Sequence, residues 1–364
     1  MKNVFKVIFI NIFLISIILF ITDKLIYKIY NVDSPYIDLK SNNQFKTNER
    51  LVKFRENPIN VKQNVKIPKE FSDHFDYQEV IYETDSEGYI KPSKIYDNPD
   101  LNFFFLGGST TENLYINPNK RYPYLSTKMI ENFYQIKINS FNAARSKNNS
   151  IHSLNLLINK ILVEKPDFVF INHSVNDQHI FNMGSKYYWN SENDRQIIIY
   201  PNKNFTNFQK LKVKIKNYFP GLYFKYRILK NKYTNENLNE ISSTWDKLGK
   251  TNDLEEYINI NKLFISLAEI YNFKIVFLSQ PSNFKINSDR YNLQKKYIKK
   301  LYDFLSSQKS NNYYLIDLYS ELSNRSEYFY DTIHLNIKGN EIVSEKISTY
   351  FKNNTHIMNK INNK

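Results

Sequence analysis

Leu101-Asn102-Phe103-Phe104-Phe105-Leu106-Gly107-Gly108-Ser109-Thr110-Thr111-Glu112 is the stretch from which the fold can be read. Its first half, LNFFFL, is a continuous apolar run, the mark of a strand buried on both faces. Its second half opens on paired glycines, in a chain that holds only 7. Glycines between a buried strand and a helix permit a tight turn and a close backbone approach. They place Ser109 at or near a helix N-terminus, where free N–H groups and the helix dipole favour developing negative charge. That setting suits a nucleophile, and it suits a simple helix cap by Ser109 or Thr110 equally well. A phosphate-binding loop is excluded, because no Gly-Lys-Ser/Thr follows.

Downstream, short apolar runs alternate with helical spacing. Strands are expected at Leu101–Leu106, Ile136–Phe141, Phe168–Asn172, Lys274–Ser279 and Tyr313–Leu318. Helices are expected at Tyr122–Phe133, Ile151–Val163, Leu254–Tyr271, Arg290–Ser306 and Asn336–Phe351. This alternation implies an α/β fold with a five-stranded parallel sheet covered on both faces. Residues 180–250 break the rhythm with aromatic and basic clusters such as Tyr187-Tyr188-Trp189 and Tyr223-Phe224-Lys225-Tyr226. They read as an insertion or lid, or equally as a packed surface excursion. No internal repeat is visible.

Upstream, residues 31–100 are polar with scattered proline. Strand-like pieces at Val80–Tyr82 and Tyr89–Ile90 flank a turn at Asp85-Ser86-Glu87-Gly88. This region reads as a stalk and N-terminal extension. Val7 to Ile21 is almost unbroken apolar sequence behind Lys2 and Lys6, without a small-residue cleavage site. Residues 1–30 are therefore expected to form an uncleaved transmembrane signal anchor, with a buried core helix as the alternative.

The chain has 364 residues, no Cys and a formal charge of +14. Disulfides, thiol catalysis and zinc–thiolate sites are excluded. The charge comes mostly from scattered Lys; it reads as a solvated surface, and no nucleic-acid motif accompanies it.

In open α/β sheets, sites form at the carboxyl ends of strands. After the second strand comes Asn142 to Ser150, a polar loop able to turn backbone N–H groups to the crevice. After the third come His173, Ser174, Asn176 and Asp177; an Asn amide there suits an oxyanion donor. His173 and His179 give only a weak metal signal. After the last comes Asp331-Thr332-Ile333-His334. An Asp three residues before a His can orient the imidazole through Nδ1 while Nε2 faces a serine, or it can merely cap the next helix. The order Ser, Asp, His also occurs in α/β-hydrolases, but Gly-Gly-Ser-Thr-Thr is not their Gly-x-Ser-x-Gly elbow.

Together these segments resemble the SGNH (GDSL-like) hydrolase superfamily across about residues 101–353. Gly108-Ser109 is similar to its first block, Ser174-Val175-Asn176-Asp177 to its Gly-x-Asn-Asp block, and Asp331-Thr332-Ile333-His334 to its Asp-x-x-His block. Two departures stand out. Lys147 falls near the glycine whose N–H enters the oxyanion hole, and Ser174 replaces the first glycine of the third block. A backbone N–H survives the change to Lys147 if the local φ does not demand glycine.

The resemblance implies a flavodoxin-like three-layer α/β/α domain at 101–353, with the 180–250 insertion inside it and a tail at 354–364. It implies Ser109, Asp331 and His334 as a catalytic triad, and Ser109, Asn176 and Lys147 as oxyanion-hole contributors. No metal or organic cofactor is implied. The activity expected is hydrolysis of carboxylic, particularly acetyl, esters on envelope or surface carbohydrate. The membrane would be met through the N-terminal helix, and the catalytic domain would be periplasmic or extracellular. An O-acyltransferase modifying a surface polysaccharide would use the same triad. A polysaccharide-binding or assembly scaffold with little turnover is the reading from another class.

Overall fold

The computed structural model describes residues 2–29, 51–52, 54–182, 198–199, 218–219, 221–222, 225–226, 229, 254–308, 310–354 and 357. Most of the 180–250 insertion thus lies outside the described residues. The chain divides into two compact units, Met1–Leu51 with Ile199–Thr244, and Val52–Ile198 with Trp245–Lys364.

In the first unit, α1 (Lys2–Ile29) is a helix of 28 residues. Ile10, Phe13, Leu14, Ile18 and Phe20 are exposed along it. Asp23 is fully buried, and its Oδ1 accepts a hydrogen bond from the Leu222 N–H at 2.8 Å. Among the described residues, no helix is long and apolar enough to cross a membrane. The transmembrane anchor expected for residues 1–30 is therefore not shown. Asp23 lies just beyond the apolar stretch Val7–Ile21, and its carboxylate is held by the Leu222 N–H.

In the second unit, β1 (Lys62–Lys66) and β2 (Glu79–Glu83) pair antiparallel, Lys62 opposite Glu83. Then come β3 (Leu101–Gly107), α2 (Ser109–Glu112), α3 (Tyr122–Tyr134), β4 (Ile138–Asn142), α4 (Ser150–Asn159), β5 (Phe168–Asn172) and α5 (Val175–Asn182). After the insertion follow α6 (Leu254–Tyr271), β6 (Lys274–Leu278), α7 (Asp289–Ser307), β7 (Tyr313–Ile316), α8 (Leu318–Leu322) and α9 (Ile337–Asn353). The five-stranded sheet has the order β4-β3-β5-β6-β7, and every neighbouring pair is parallel. The last strand is shorter than expected because Asp317 leaves the ladder to cap α8, accepting from the Ser320 N–H.

The run LNFFFL is apolar throughout because the sheet is covered on both faces. Phe104 and Leu106 enter a core with residues of α4, α6 and α7, including Leu157, Phe264 and Leu301. Phe103 and Phe105 enter the opposite core with Ile130 of α3 and Val343, Ile347 and Phe351 of α9. Phe105 stacks on Phe170 with centroids 4.3 Å apart, and Phe104 stacks on Phe141 at 4.6 Å. Each buried Phe contributes about 1.5–3 kcal/mol by transfer from water. The chain leaves β3 toward β4 on one side and later returns to β5 on the other. That reversal opens a crevice beyond the carboxyl ends of β3 and β5.

Candidate active site

The turn after β3 explains both glycines. A Cβ on Gly107 would sit 2.1 Å from Thr111 Oγ1, and one on Gly108 would sit 2.4 Å from Asn176 Nδ2. Only glycines let α2 fold back so tightly and let the Asn176 amide approach this backbone. Thr111 is buried and accepts from the Tyr122 hydroxyl at 2.8 Å, which pins the short helix carrying Ser109.

The structure brings Ser109, His334 and Asp331 together. His334 Nε2 lies 2.8 Å from Ser109 Oγ, and His334 Nδ1 lies 2.6 Å from Asp331 Oδ2. The three-residue spacing works because the two carboxylate oxygens divide their tasks. Oδ1 accepts from the backbone N–H groups of Ile333 at 2.8 Å and His334 at 2.7 Å, which leaves Oδ2 for the ring. The Tyr330 N–H donates to the His334 carbonyl and closes the turn. Burial pushes the Asp331 carboxyl up, but the His334 hydrogen bond and charge and the two N–H groups outweigh it. Its pKa therefore lies below the ordinary value of 3.8. The carboxylate stays ionised and can only accept, so the Nδ1 proton points to it and Nε2 is left to take a proton from Ser109.

The opposite wall comes from the ends of β4 and β5. Asn142 Nδ2 donates to the Thr111 carbonyl, and Asn142 Oδ1 accepts from the Ala144 N–H. The N–H and hydroxyl of Ser146 both donate to Glu112 Oε2, at 2.9 and 2.6 Å. Lys147 has φ +68, in the left-handed region. Lys147 thus adopts, at a cost, the backbone conformation that a glycine would take freely. The position is one that favours glycine, and a residue with a Cβ there costs roughly 1–2 kcal/mol. Asn176 Nδ2 donates to the Asn148 carbonyl at 2.7 Å, so its amide sits between this loop and Gly108. Ser174, at the other departure, is buried and accepts from Gln178 Nε2 at 2.7 Å. Asp177 accepts from the N–H and hydroxyl of Ser150, tying α5 to the start of α4.

His173 is buried 2.7 Å from Ser153 Oγ, and burial lowers its pKa to about 3, so it is neutral. His179 lies on α5. Among the described residues, no group of three His, Asp or Glu is arranged to hold a metal ion.

Three parts of the site were missed by reading the sequence. Gln280 follows β6; its Oε1 accepts from the Val175 N–H and its Nε2 donates to Thr110 Oγ1. It thereby braces the residues next to Asn176 and Ser109, and its place at a strand end was the available signal. Tyr330 stacks on the His334 ring, centroids 5.4 Å apart and planes 6° from parallel. Phe71, Phe75 and Tyr115 pack around Tyr330 at 5.0, 5.5 and 5.9 Å. Residues 55–57 meet the 144–148 loop through buried hydrogen bonds, and nothing in the sequence pattern announces that contact.

No family model and no curated protein matches this chain. Among solved structures, it is similar to an acetyl xylan esterase at 14% identity and TM-score 0.43, covering 69% of this chain and 99% of that one. It is similar to an acetylxylan esterase from Geobacillus stearothermophilus at 12% identity and TM-score 0.42, covering 69% and 93%. It is also similar to a protein assigned as a GDSL-like lipase from Parabacteroides merdae, at 14% identity and TM-score 0.39, covering 70% and 96%.

Proposed function

We propose that this chain is an SGNH-type serine esterase that hydrolyses carboxylic, particularly acetyl, esters. The observation that carries the reading is the unbroken chain from Asp331 Oδ2 through His334 to Ser109 Oγ, with links of 2.6 and 2.8 Å. Ser109 Oγ attacks the ester carbonyl carbon while His334 Nε2 takes the hydroxyl proton. The carbonyl π electrons move onto oxygen. The Ser109 N–H, the Asn176 amide and the Lys147 N–H are the donors proposed for that oxyanion, and one such donor typically contributes ~3 kcal/mol. The tetrahedral intermediate expels the alcohol, which leaves with the proton held by His334. Water, deprotonated by the same imidazole, then cleaves the acyl-enzyme and restores Ser109.

The substrate class proposed is acylated carbohydrate of the envelope or surface. Support comes from the half-exposed rings of Phe71, Phe75 and Tyr115 near His334, since apolar and aromatic walls with few polar groups suit ligand binding. Membrane attachment through α1 belongs to this proposal. It is motivated by exposed apolar residues such as Phe13, Ile15, Ile18 and Ile21. A carbonate-washed membrane fraction free of the protein would discard the attachment and leave the esterase reading intact.

The decisive test is labelling of the full chain by a fluorophosphonate, beside p-nitrophenyl acetate hydrolysis. Both are expected, and Ser109→Ala should abolish both. A folded wild-type protein that neither labels nor hydrolyses would overturn the reading.

A further inference from the structure

Lys147 holds a left-handed backbone that L side chains other than Asn and Asp rarely adopt, and unlike Gln135 and Lys165, which share it, Lys147 does not end a helix. Its support stands in the extension, about ninety residues away in sequence. Arg55 Nε donates to Asn148 Oδ1 at 3.1 Å, and Arg55 Nη2 donates to the Ser146 carbonyl at 3.0 Å. Asn148 Nδ2 returns a bond to the Arg55 carbonyl at 3.0 Å. Asn57 Nδ2 donates to the Ala144 carbonyl at 3.0 Å, and Arg145 Nη1 donates to the Glu56 carbonyl at 2.6 Å. Arg55 and Asn57 are both buried. The residues on either side of Lys147, Ser146 and Asn148, are therefore fixed from outside the loop, and strained φ values persist where surroundings over-determine them.

Resting on the esterase reading, we infer that Arg55 and Asn57 are positioning residues that hold the Lys147 loop in the shape the oxyanion hole requires, in place of the glycine that would adopt it unaided. The clamp has a second consequence. Asn176 Nδ2 donates to the Asn148 carbonyl, so the peptide that Arg55 grips also sets where the Asn176 amide lies. The effect of Arg55 on chemistry runs through the loop.

The test is a double-mutant cycle in the full chain with p-nitrophenyl acetate. Arg55→Ala should lower kcat about a hundredfold, the order expected for a misplaced group of about an ångström, with KM within about twofold. Oxyanion donors act on charge that appears in the transition state, so kcat carries the loss. In a Lys147→Gly background the penalty of Arg55→Ala should shrink to about tenfold, because glycine accepts the left-handed conformation without the clamp. Asn57→Ala should show the same pattern at smaller amplitude, and it decides the matter if Arg55→Ala fails to fold. An Arg55→Ala penalty equal in both backgrounds, or one wholly in KM, would overturn the inference. A wild-type chain without serine labelling would instead sink the esterase reading itself.

Discussion

The two walls of the crevice are built by different means. The wall of Ser109, Asp331 and His334 is assembled from local turns. Its hydrogen bonds at Asp331 span two and three residues, and its glycines lie directly before the serine. The wall of residues 144–148 and Asn176 depends on distant partners: Arg55, Asn57, Glu112 and Gly108. Each turn of the first wall is set locally, and the fold then brings the two turns together so that Ser109 Oγ and His334 Nε2 meet at 2.8 Å. The second forms only when the extension, β4 and β5 are all in place. A site of this design divides its vulnerability: damage to the first wall removes a chemical group, and damage to the second moves one.

That contrast can be broken or sharpened by measurement. The largest effect is expected at the first wall. Asp331→Asn should lower kcat/KM on the order of 10³–10⁴-fold while the fold survives, because the ring loses the acceptor that sets its tautomer. A loss below tenfold would show that the backbone alone orients His334. Next comes Gly108→Ala, whose Cβ would meet Asn176 Nδ2 at 2.4 Å and the Asn148 carbonyl at 3.1 Å. Displacing that amide should lower kcat about 10²-fold, with Ser109 still reactive toward a fluorophosphonate. Full activity in this variant would remove Asn176 from the proposed oxyanion hole. Smaller still is Tyr330→Leu. Losing the stacked ring should lower kcat about tenfold, the scale of an aromatic pair worth ≈ 0.5–1.5 kcal/mol, and Tyr330→Phe should retain most of it.

The smallest effect near neutral pH concerns stability. His173 is buried neutral with its pKa lowered to about 3 from 6.5. Unfolding lets it bind a proton, so its contribution is complete above pH 6.5. It is lost as pH falls from there toward 3, with a total of a few kcal/mol. His173→Gln should flatten that part of the acid slope in denaturant melts. An unchanged slope would mean that other groups carry it. Asp331 works in the same sense at lower pH: its stabilisation is present above its ordinary 3.8 and disappears below it.

The legibility of the molecule follows the same division. β5 (Phe168–Asn172) and α6 (Leu254–Tyr271) occupy the bounds that periodicity suggests, since each rests on side-chain spacing within one element. At the end of β7 the bound moved because the Asp317 side chain turns to the Ser320 N–H and starts the next helix. Ser109 and the Asp331–His334 pair stand out in the sequence because each turn is carried within a few residues, whereas the contact between Ser109 and His334 is made by the fold. Lys147 was visible only as a departure from a pattern. Its φ, and the hydrogen bonds that hold it, could not be read from neighbouring residues.

The sequence by itself determined the alternation of strands and helices, the glycine turn before Ser109 and the Asp331–His334 turn, because these depend on periodicity and on hydrogen bonds a few residues long. Only the tertiary structure decided that Arg55 and Asn57 grip the 144–148 loop, that Gln280 braces Thr110 and Val175, and that Tyr330 lies on His334 beneath Phe71 and Phe75. Such contacts cost loop-closure entropy that no local pattern offsets. They exist only because the sheet and its two cores have already brought the distant segments together.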